Sequence, residues 1–266
     1  LLDDLPEDTG QNRIYFCTKL GMLHQDQAEY APAALFYTQV VNLQGANGAK
    51  PPPHILQRLA LCLQHTDAPR AETYYREAVA QQVAQTGNTS LATAERKAQL
   101  AAYYAQVNRR VAAEQQYQAA LATLEDCPPS HRLNGLLPRY RLALAALLMS
   151  RNELRMALEQ LDLAAQHFEA LSEQHTGTRA RWFHRRMAEV RLMQADYLYA
   201  AGEHARALSL YQELYNQFYD LAGPSLSLAR CLYRMGRTMI YLNEPLEAER
   251  FLMDAEQMLN NLEARR

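Results

Sequence analysis

Long apolar runs, signal-like segments and clusters of glycine or proline are scarce in this sequence of 266 residues. The longest purely apolar run, Leu142 to Met149, has eight residues, whereas a helix needs roughly 20 to cross a membrane. Only 10 glycines and 11 prolines are spread along the chain, so long irregular segments are not expected. The chain begins at Leu1 without a signal-peptide pattern, and we therefore expect a piece of a longer cytoplasmic protein.

Cysteine is also rare. Cys17, Cys62, Cys127 and Cys231 lie far apart and form no C-x-x-C pair. Three of them lie within helical, apolar patterns, where a free cysteine behaves as a small hydrophobic residue. This usage favours reduced thiols and a cytoplasmic location.

An excess of charge of either sign is missing. The 27 lysines and arginines nearly balance the 29 aspartates and glutamates, and the isoelectric point is about 6.5. A chain this close to neutral has no strong overall field to draw it onto nucleic acid or acidic lipid. We therefore expect a protein or peptide partner, favoured over a nucleic acid, and no membrane.

Helix breakers recur at long intervals, and the segments between them are rich in good helix formers. Strong breaks occur at Pro51–Pro53, Gly87–Ser90, Cys127–Ser130, His175–Thr178 and Gly223–Ser225, and each segment has a weaker polar break near its middle. No β-like alternation competes with this pattern. The sequence predicts an all-α single domain over residues 1–266, with six helical hairpins at about 14–46, 52–86, 91–126, 132–174, 179–222 and 225–262.

The second helix of each hairpin repeats a small residue, then a larger one four positions later and another residue three positions after that. Spacings of four and three place all three on one helix face. We expect the alanine to allow two helices to touch and the middle residue to fill the gap towards the next hairpin. The six sets are Ala33-Tyr37-Val40, Ala71-Tyr75-Ala78, Ala113-Tyr117-Ala120, Ala157-Leu161-Ala164, Ala207-Tyr211-Leu214 and Ala248-Leu252-Ala255.

The first helices carry a matching small residue, glycine at 21 and 236 and alanine at 101, 145 and 195. We expect close helix contact at each of these positions. In the second hairpin, Ala60 takes this place only if the turn that follows is one residue shorter than in the other hairpins.

These residues resemble the tetratricopeptide repeat, whose pattern is an aromatic residue, Leu-Gly, Tyr, Ala-x-x-x-Phe and Pro. The resemblance covers about residues 14–260. The shared alanines lie at 33, 71, 113, 157, 207 and 248, so the repeat is longer than the usual length of about 34 residues. It is similar to the longer variants of kinesin light chains and bacterial regulators. The resemblance implies a right-handed superhelical α-solenoid whose concave face, lined by first helices, holds a peptide or a partner helix.

Motifs for chemistry are absent from the sequence. It has no phosphate-binding glycine loop, no H-E-x-x-H and no G-x-S-x-G, and its eight histidines never fall at the i, i+4 spacing of a helical metal pair. We therefore expect no enzyme activity, no cofactor and no metal. The favoured function is a protein-interaction scaffold or the regulatory segment of a larger protein. RNA binding through basic faces and a structural or self-association module remain alternatives.

Arginines near the C-terminal end are the candidate binding residues. Arg230, Arg234 and Arg237 follow each other at spacings of four and three with no acid between them, and guanidinium groups suit carboxylate or phosphate. We expect them to bind acidic groups of a partner. The predicted partner-binding set adds Tyr199, Tyr233 and Glu189. A secondary basic face comprises Arg179, Arg181, Arg185 and Arg186, where a merely solvated surface is the alternative.

Overall fold

The computed structural model describes residues 10–222 and 225–264, and all regular secondary structure in these two ranges is helical. The predicted break at Gly223–Pro224 lies outside the described residues. The helices are α1 (Gly10–Asp26), α2 (Tyr30–Ala46), α3 (Pro53–Leu63), α4 (Ala68–Thr86), α5 (Leu91–Gln106), α6 (Arg110–Glu125), α7 (His131–Ser150), α8 (Leu154–Glu173), α9 (Gly177–Ala200), α10 (His204–Ala222), α11 (Leu226–Tyr241) and α12 (Pro245–Glu263).

Successive helices pack as six hairpins, which confirms the predicted all-α repeat architecture. The hairpins fall into two compact units, unit 1 with α1–α6 and unit 2 with α7–α12, divided after Pro128. Within each unit the second helix of a hairpin packs against the first helix of the next. That all six hairpins behave as one cooperative array stays a prediction.

Serine caps start three of the first helices. The hydroxyl oxygens of Ser90, Ser130 and Ser225 accept hydrogen bonds from the backbone N–H groups three residues later. Each cap satisfies an N–H group that has no partner inside the helix. The polar breaks of the sequence therefore fix where α5, α7 and α11 begin.

The small residues lie at the helix contacts predicted for them. All six alanines of the second helices are at most 2% exposed. A Cβ atom added to Gly21 would lie 2.8 Å from the Tyr37 ring, and one added to Gly236 would lie 2.7 Å from Cγ of Leu252. These distances leave no room for a methyl group, which confirms that glycine is used here for close helix approach.

The turn inside each hairpin also follows the predicted register. From the small residue of the first helix to the alanine of the second, the chain takes 12 residues in five hairpins, as from Gly21 to Ala33, but 11 from Ala60 to Ala71. The five longer turns each contain a residue with positive φ, at Ala28, Asn108, Asn152, Gly202 and Asn243, and the shorter turn has none. The second hairpin thus omits the left-handed residue.

Among the residues at these five positions, Ala28 is the least suited to a positive φ angle. Its φ of 60° is costly for a side chain with a Cβ atom, whereas glycine and asparagine tolerate it. We expect Ala28→Gly to raise the free energy of unfolding by about 0.5–1 kcal/mol. Urea denaturation followed by circular dichroism measures the change, and Asn108→Ala, at the same position of the third hairpin, should lower stability. An unchanged or lower value for Ala28→Gly would show that the turn is not left-handed.

All four cysteines are buried and unpaired. Burial raises the pKa of the Cys62 thiol to about 11 and that of the Cys231 thiol to about 12. Both therefore stay protonated at neutral pH and serve in packing, as their apolar sequence context predicts.

Candidate partner-binding surface

Charge in unit 2 is divided between its two kinds of helix. The first helices α7, α9 and α11 contain eleven arginines and two acids, a formal charge of +9, whereas the second helices α8, α10 and α12 contain eleven acids and three arginines, a charge of −8. The corresponding helices of unit 1 carry only +3 and −1. The positive charge of unit 2 is therefore concentrated on its first helices, although the whole chain has a net charge of −2.

Arg234 is engaged inside the protein. Its Nη1 atom lies 2.6 Å from Oδ1 of Asp196 on α9, and the same oxygen accepts a hydrogen bond of 2.7 Å from the hydroxyl group of Tyr211 on α10. Burial raises the pKa of the Asp196 carboxyl group, while the Tyr211 hydroxyl and the Arg234 guanidinium oppose this rise. Arg234 thus has an acidic partner inside the protein, and its contact with a binding partner stays a prediction. The residue ties the last hairpin to the one before it.

Arg237 is held by aromatic rings. The centre of its guanidinium group lies 5.3 Å from the ring centroid of Tyr199 and 5.7 Å from that of Tyr233. Tyr199 also meets the edge of Tyr241, whose ring stacks on His204 at 4.6 Å between centroids. Stacking of this kind restrains a long side chain without using its outer N–H donors. Arg237 is therefore a positioned cation on an exposed face.

Arginines of α9 differ in how far they are neutralised. Glu189 pairs with Arg186 at 2.6 Å and with Arg185 at 3.4 Å, so this acid belongs to the basic face and not to the α11 arginines. Arg179 lies 2.9 Å from a ring nitrogen of His131 on α7. Arg181 is exposed and makes no hydrogen bond or ion pair with any described residue.

Trp182 stands among these arginines. Its side chain is 52% exposed, its ring meets the edges of Phe168 and Phe183, and the Arg186 guanidinium lies 5.8 Å above it. A half-exposed tryptophan beside arginines is the composition found at protein interfaces. We call Trp182, Arg181, Arg185 and Arg186 the α9 surface.

The predicted binding residues thus separate into three groups. Arg230 is exposed and forms no ion pair among the described residues. Tyr199, Tyr233 and Arg237 come together at the junction of the last two hairpins, and Arg234 contacts Asp196 there. Glu189 lies elsewhere, beside Arg185 and Arg186.

Sequence reasoning missed Asp196 and His204. The role of Asp196 could have been predicted, because it is one of two acids on a helix with five arginines. The aromatic contacts of Tyr241 and His204 could not have been predicted from the sequence. They join a hairpin turn to a helix about 40 residues away in sequence and depend on how the hairpins stack.

No group of three or more histidines, cysteines, aspartates or glutamates in the described part of the chain could hold a metal ion, and none of its helices is long and apolar enough to span a membrane. A cleft of about 410 Å³ between α8, α9 and α10 is lined by polar residues including Asp162, Glu169, Arg191 and Gln194. Its lining contains no serine, cysteine or histidine.

Neither a family model nor a curated protein matches this sequence. Among solved structures, the chain is similar to BtubC (BKLC) from P. vanneervenii, with 15% identity, a TM-score of 0.61 and coverage of 97% of this chain and 93% of that one. It is similar to a putative kinesin light chain of Podosopora anserina with nearly identical TPR-like repeats, at 15% identity, a TM-score of 0.61 and coverage of 80% and 98%. Aspartyl phosphate phosphatase F from Bacillus subtilis matches at 13% identity, a TM-score of 0.60 and coverage of 94% and 70%. These matches show the fold, an array of TPR-like hairpins, and confirm the resemblance drawn from the sequence.

Proposed function

We propose that this chain is a protein-binding scaffold, without catalytic activity of its own, that captures an acidic segment of a partner protein on the first helices of unit 2. One observation carries the proposal: the first helices of this unit bear +9 and the second helices −8. A surface that served only solubility would mix the two signs, since like charges on neighbouring turns repel. A concentration of arginine on the first helices favours the binding of an anionic partner to these helices.

The contact is assigned to the α9 surface together with Arg230 on α11. Arg181 and Arg230 make no ion pair within the described residues, although the charge of Arg230 acts on the Asp196 carboxylate. Both exposed guanidinium groups can bind a carboxylate of a partner in bidentate geometry. Trp182 supplies the apolar anchor beside them, because its exposed half becomes buried when a segment is laid across α9. Arg234 and Arg237 support this surface by fixing α11 against α9.

A protein segment fits this charge pattern better than RNA does. RNA carries a charge at every nucleotide and binds along a continuous basic track. The second helices of the same compact unit carry a charge of −8, which repels such a polymer. A peptide, in contrast, can place its acidic residues next to the arginines and avoid the acidic helices.

Quantitative capture from a lysate of the source cells tests this proposal. Arg181→Glu with Arg185→Glu reverses two exposed charges of α9, and we expect the proteins enriched by the wild-type chain to be depleted at least tenfold, about 1.4 kcal/mol. Arg155→Glu with Arg206→Glu is the matched control, because it makes the same charge change on the second helices α8 and α10, where both side chains are exposed. The control should capture as wild type does.

Two results would count against the proposal. Equal depletion by both pairs of substitutions would mean that only net charge matters. Recovery of RNA in place of proteins, with an affinity that falls steeply with salt, would favour the nucleic-acid alternative.

A further inference from the structure

A polar cleft of unit 2 lies outside the proposed binding surface. It has a volume of about 410 Å³ and is formed by α8, α9 and α10, and small-molecule sites commonly span about 300–1,000 Å³. On α9 it is lined by Arg191, Gln194 and Leu198. Arg185 of the α9 surface stands six residues before Arg191, which places it about a third of a turn away around the helix. The cleft is therefore a separate place where a small ligand can bind.

Gln194 stands at a position that is apolar in every other hairpin. Gln194 is 7% exposed, and burial of an amide group lowers stability unless the group is hydrogen-bonded. Its Nε2 atom donates to Oδ1 of Asp162 on α8 at 2.6 Å, whereas its Oε1 atom accepts no hydrogen bond from a described residue. A departure from the repeat pattern in the wall of a cleft is typical of a functional site. The equivalents of Gln194, which directly precede the small residue of each first helix, are Leu20, Leu59, Leu100, Leu144 and Met235.

Arg191 makes no hydrogen bond or ion pair with any residue that the structure describes, although it is only partly exposed. Its equivalent in the fourth hairpin, Arg141, donates from Nη1 to Oε1 of Gln160 on α8 at 3.3 Å. Counted from the shared alanines, the equivalent of Gln160 on α10 is Leu210, which has no acceptor in its side chain. Arg191 therefore keeps its guanidinium donors for an anionic group in the cleft.

Two acids of α8 line the same cleft. Asp162 accepts the hydrogen bond from Gln194, but the side chain of Glu169 pairs with no described residue. Glu169 and Arg191 thus line one cleft without forming an ion pair with each other. A ligand that carries both a negative and a positive group satisfies both side chains at once.

Apolar side chains from all three helices complete the lining, namely Leu158 and Ala165 on α8, Leu198 on α9 and Leu210 on α10. The cleft therefore offers a cationic group, an anionic group and an apolar wall. A free amino acid with an apolar side chain has the three complementary parts, which are a carboxylate, an ammonium group and a hydrocarbon group.

Two other classes of ligand fit this lining less well. A phosphate group carries close to two negative charges at neutral pH, and Asp162 and Glu169 repel them. The second arginine of the lining, Arg206, pairs with Glu203 at 3.1 Å, so it adds little to the binding of a dianion. An internal segment of a peptide has no charge on its backbone and would need suitably spaced side chains of both signs.

We propose that the cleft between α8, α9 and α10 binds a free amino acid with an apolar side chain, whose carboxylate group contacts Arg191 and whose ammonium group contacts Glu169. The Oε1 atom of Gln194 accepts a further hydrogen bond from the ammonium group, and Asp162 holds the amide in this orientation. The three leucines of the lining cover the side chain of the ligand. This site goes beyond the scaffold function and does not depend on it.

Isothermal titration calorimetry of the chain with L-leucine, L-methionine and L-phenylalanine tests the proposal. We expect at least one of them to bind. For the amino acid with the lowest Kd, the amide derivative lacks the carboxylate and the N-acetyl derivative lacks the ammonium group. Each derivative should have a Kd at least tenfold higher, because one of the two charged contacts is lost.

Two variants assign these contacts to residues. Arg191→Leu introduces the residue that α11 has at the equivalent position; it should raise the Kd for the amino acid at least tenfold and should bind the amino acid and its amide equally. Glu169→Gln should also raise the Kd at least tenfold, and it should bind the amino acid and its N-acetyl derivative equally. The matched controls, Arg181→Leu on α9 and Glu173→Gln on α8, change exposed residues outside the cleft and should bind as wild type does.

Circular dichroism melting checks that each variant is folded, and the two derivatives decide between the outcomes with wild type alone. Absence of binding for all three amino acids at millimolar concentration overturns the proposal. Equal binding of the amino acid and both derivatives by wild type, or wild-type affinity in folded Arg191→Leu and Glu169→Gln, also overturns it. Partner capture is tested with Arg181→Glu and Arg185→Glu, so failure of the scaffold function and failure of this site are separate results.

Discussion

Replacing Tyr211 with alanine is expected to lower the free energy of unfolding by about 3–5 kcal/mol, as for other buried aromatic residues. Tyr211 is 0% exposed and packs in the cluster that joins the fifth hairpin to the sixth. Its removal leaves a cavity between α10 and α11. It also takes the hydroxyl donor from Asp196, which keeps Arg234 at 2.6 Å. Urea denaturation followed by circular dichroism measures the loss.

Two control variants separate the contributions of Tyr211. Tyr211→Phe keeps the ring and removes the hydroxyl group, and we expect a loss of about 1–2 kcal/mol because the carboxylate still has Arg234. Tyr219→Ala removes a tyrosine from the same helix that is exposed, and its effect should stay within about 0.5 kcal/mol. If Tyr211→Ala were no worse than Tyr211→Phe, the ring would not fill the junction between the hairpins.

A single methyl group at position 236 should lower the free energy of unfolding by about 1–3 kcal/mol. The added Cβ atom of Gly236→Ala would meet Cγ of Leu252 at 2.7 Å and the Ala248 carbonyl oxygen at 3.0 Å. Neither atom is the free end of a flexible side chain, so α11 must move away from α12. This loss exceeds the gain of about 1 kcal/mol that alanine brings to a helix interior.

Gly135→Ala is the matched control in the same unit. Gly135 lies inside α7, and no atom approaches the position of an added Cβ within 4 Å. At this position only the higher helix propensity of alanine matters, and the free energy of unfolding should rise by about 0.5–1 kcal/mol. Melting temperatures that move in opposite directions for the two alanines are the expected result. A shift in the same direction for both would contradict the helix contact at Gly236.

Local rules explain why the repeat could be predicted from the sequence. Small residues recur at fixed positions of the repeat, namely alanine at 33, 71, 113, 157, 207 and 248 and glycine at 21 and 236. Each position accepts only a small side chain, and this restriction is visible in the sequence itself. Even the shorter turn after Ala60 was visible as a change of one residue in the spacing. The positive φ at Ala28 was not visible, because alanine gives no signal for a left-handed turn.

The binding surface was less predictable because it depends on which side chains face each other across hairpins. Arg230, Arg234 and Arg237 look equivalent in sequence, yet Asp196 occupies Arg234, tyrosines hold Arg237, and Arg230 is left exposed. Asp196 precedes Arg234 by 38 residues, a separation fixed only by the stacking of one hairpin on the next. The division of charge between helices likewise becomes apparent only after first and second helices are assigned.

Titration of a captured partner with the isolated chain tests the scaffold account most directly. Isothermal titration calorimetry should be performed with wild type, Arg181→Glu/Arg185→Glu and Arg155→Glu/Arg206→Glu at low and at physiological salt. We expect the α9 substitutions to raise the Kd at least tenfold, about 1.4 kcal/mol, and the control to match wild type at both salt concentrations. A wild-type Kd for the α9 variant, with the fold intact by circular dichroism, would contradict binding of an acidic partner on the first helices of unit 2.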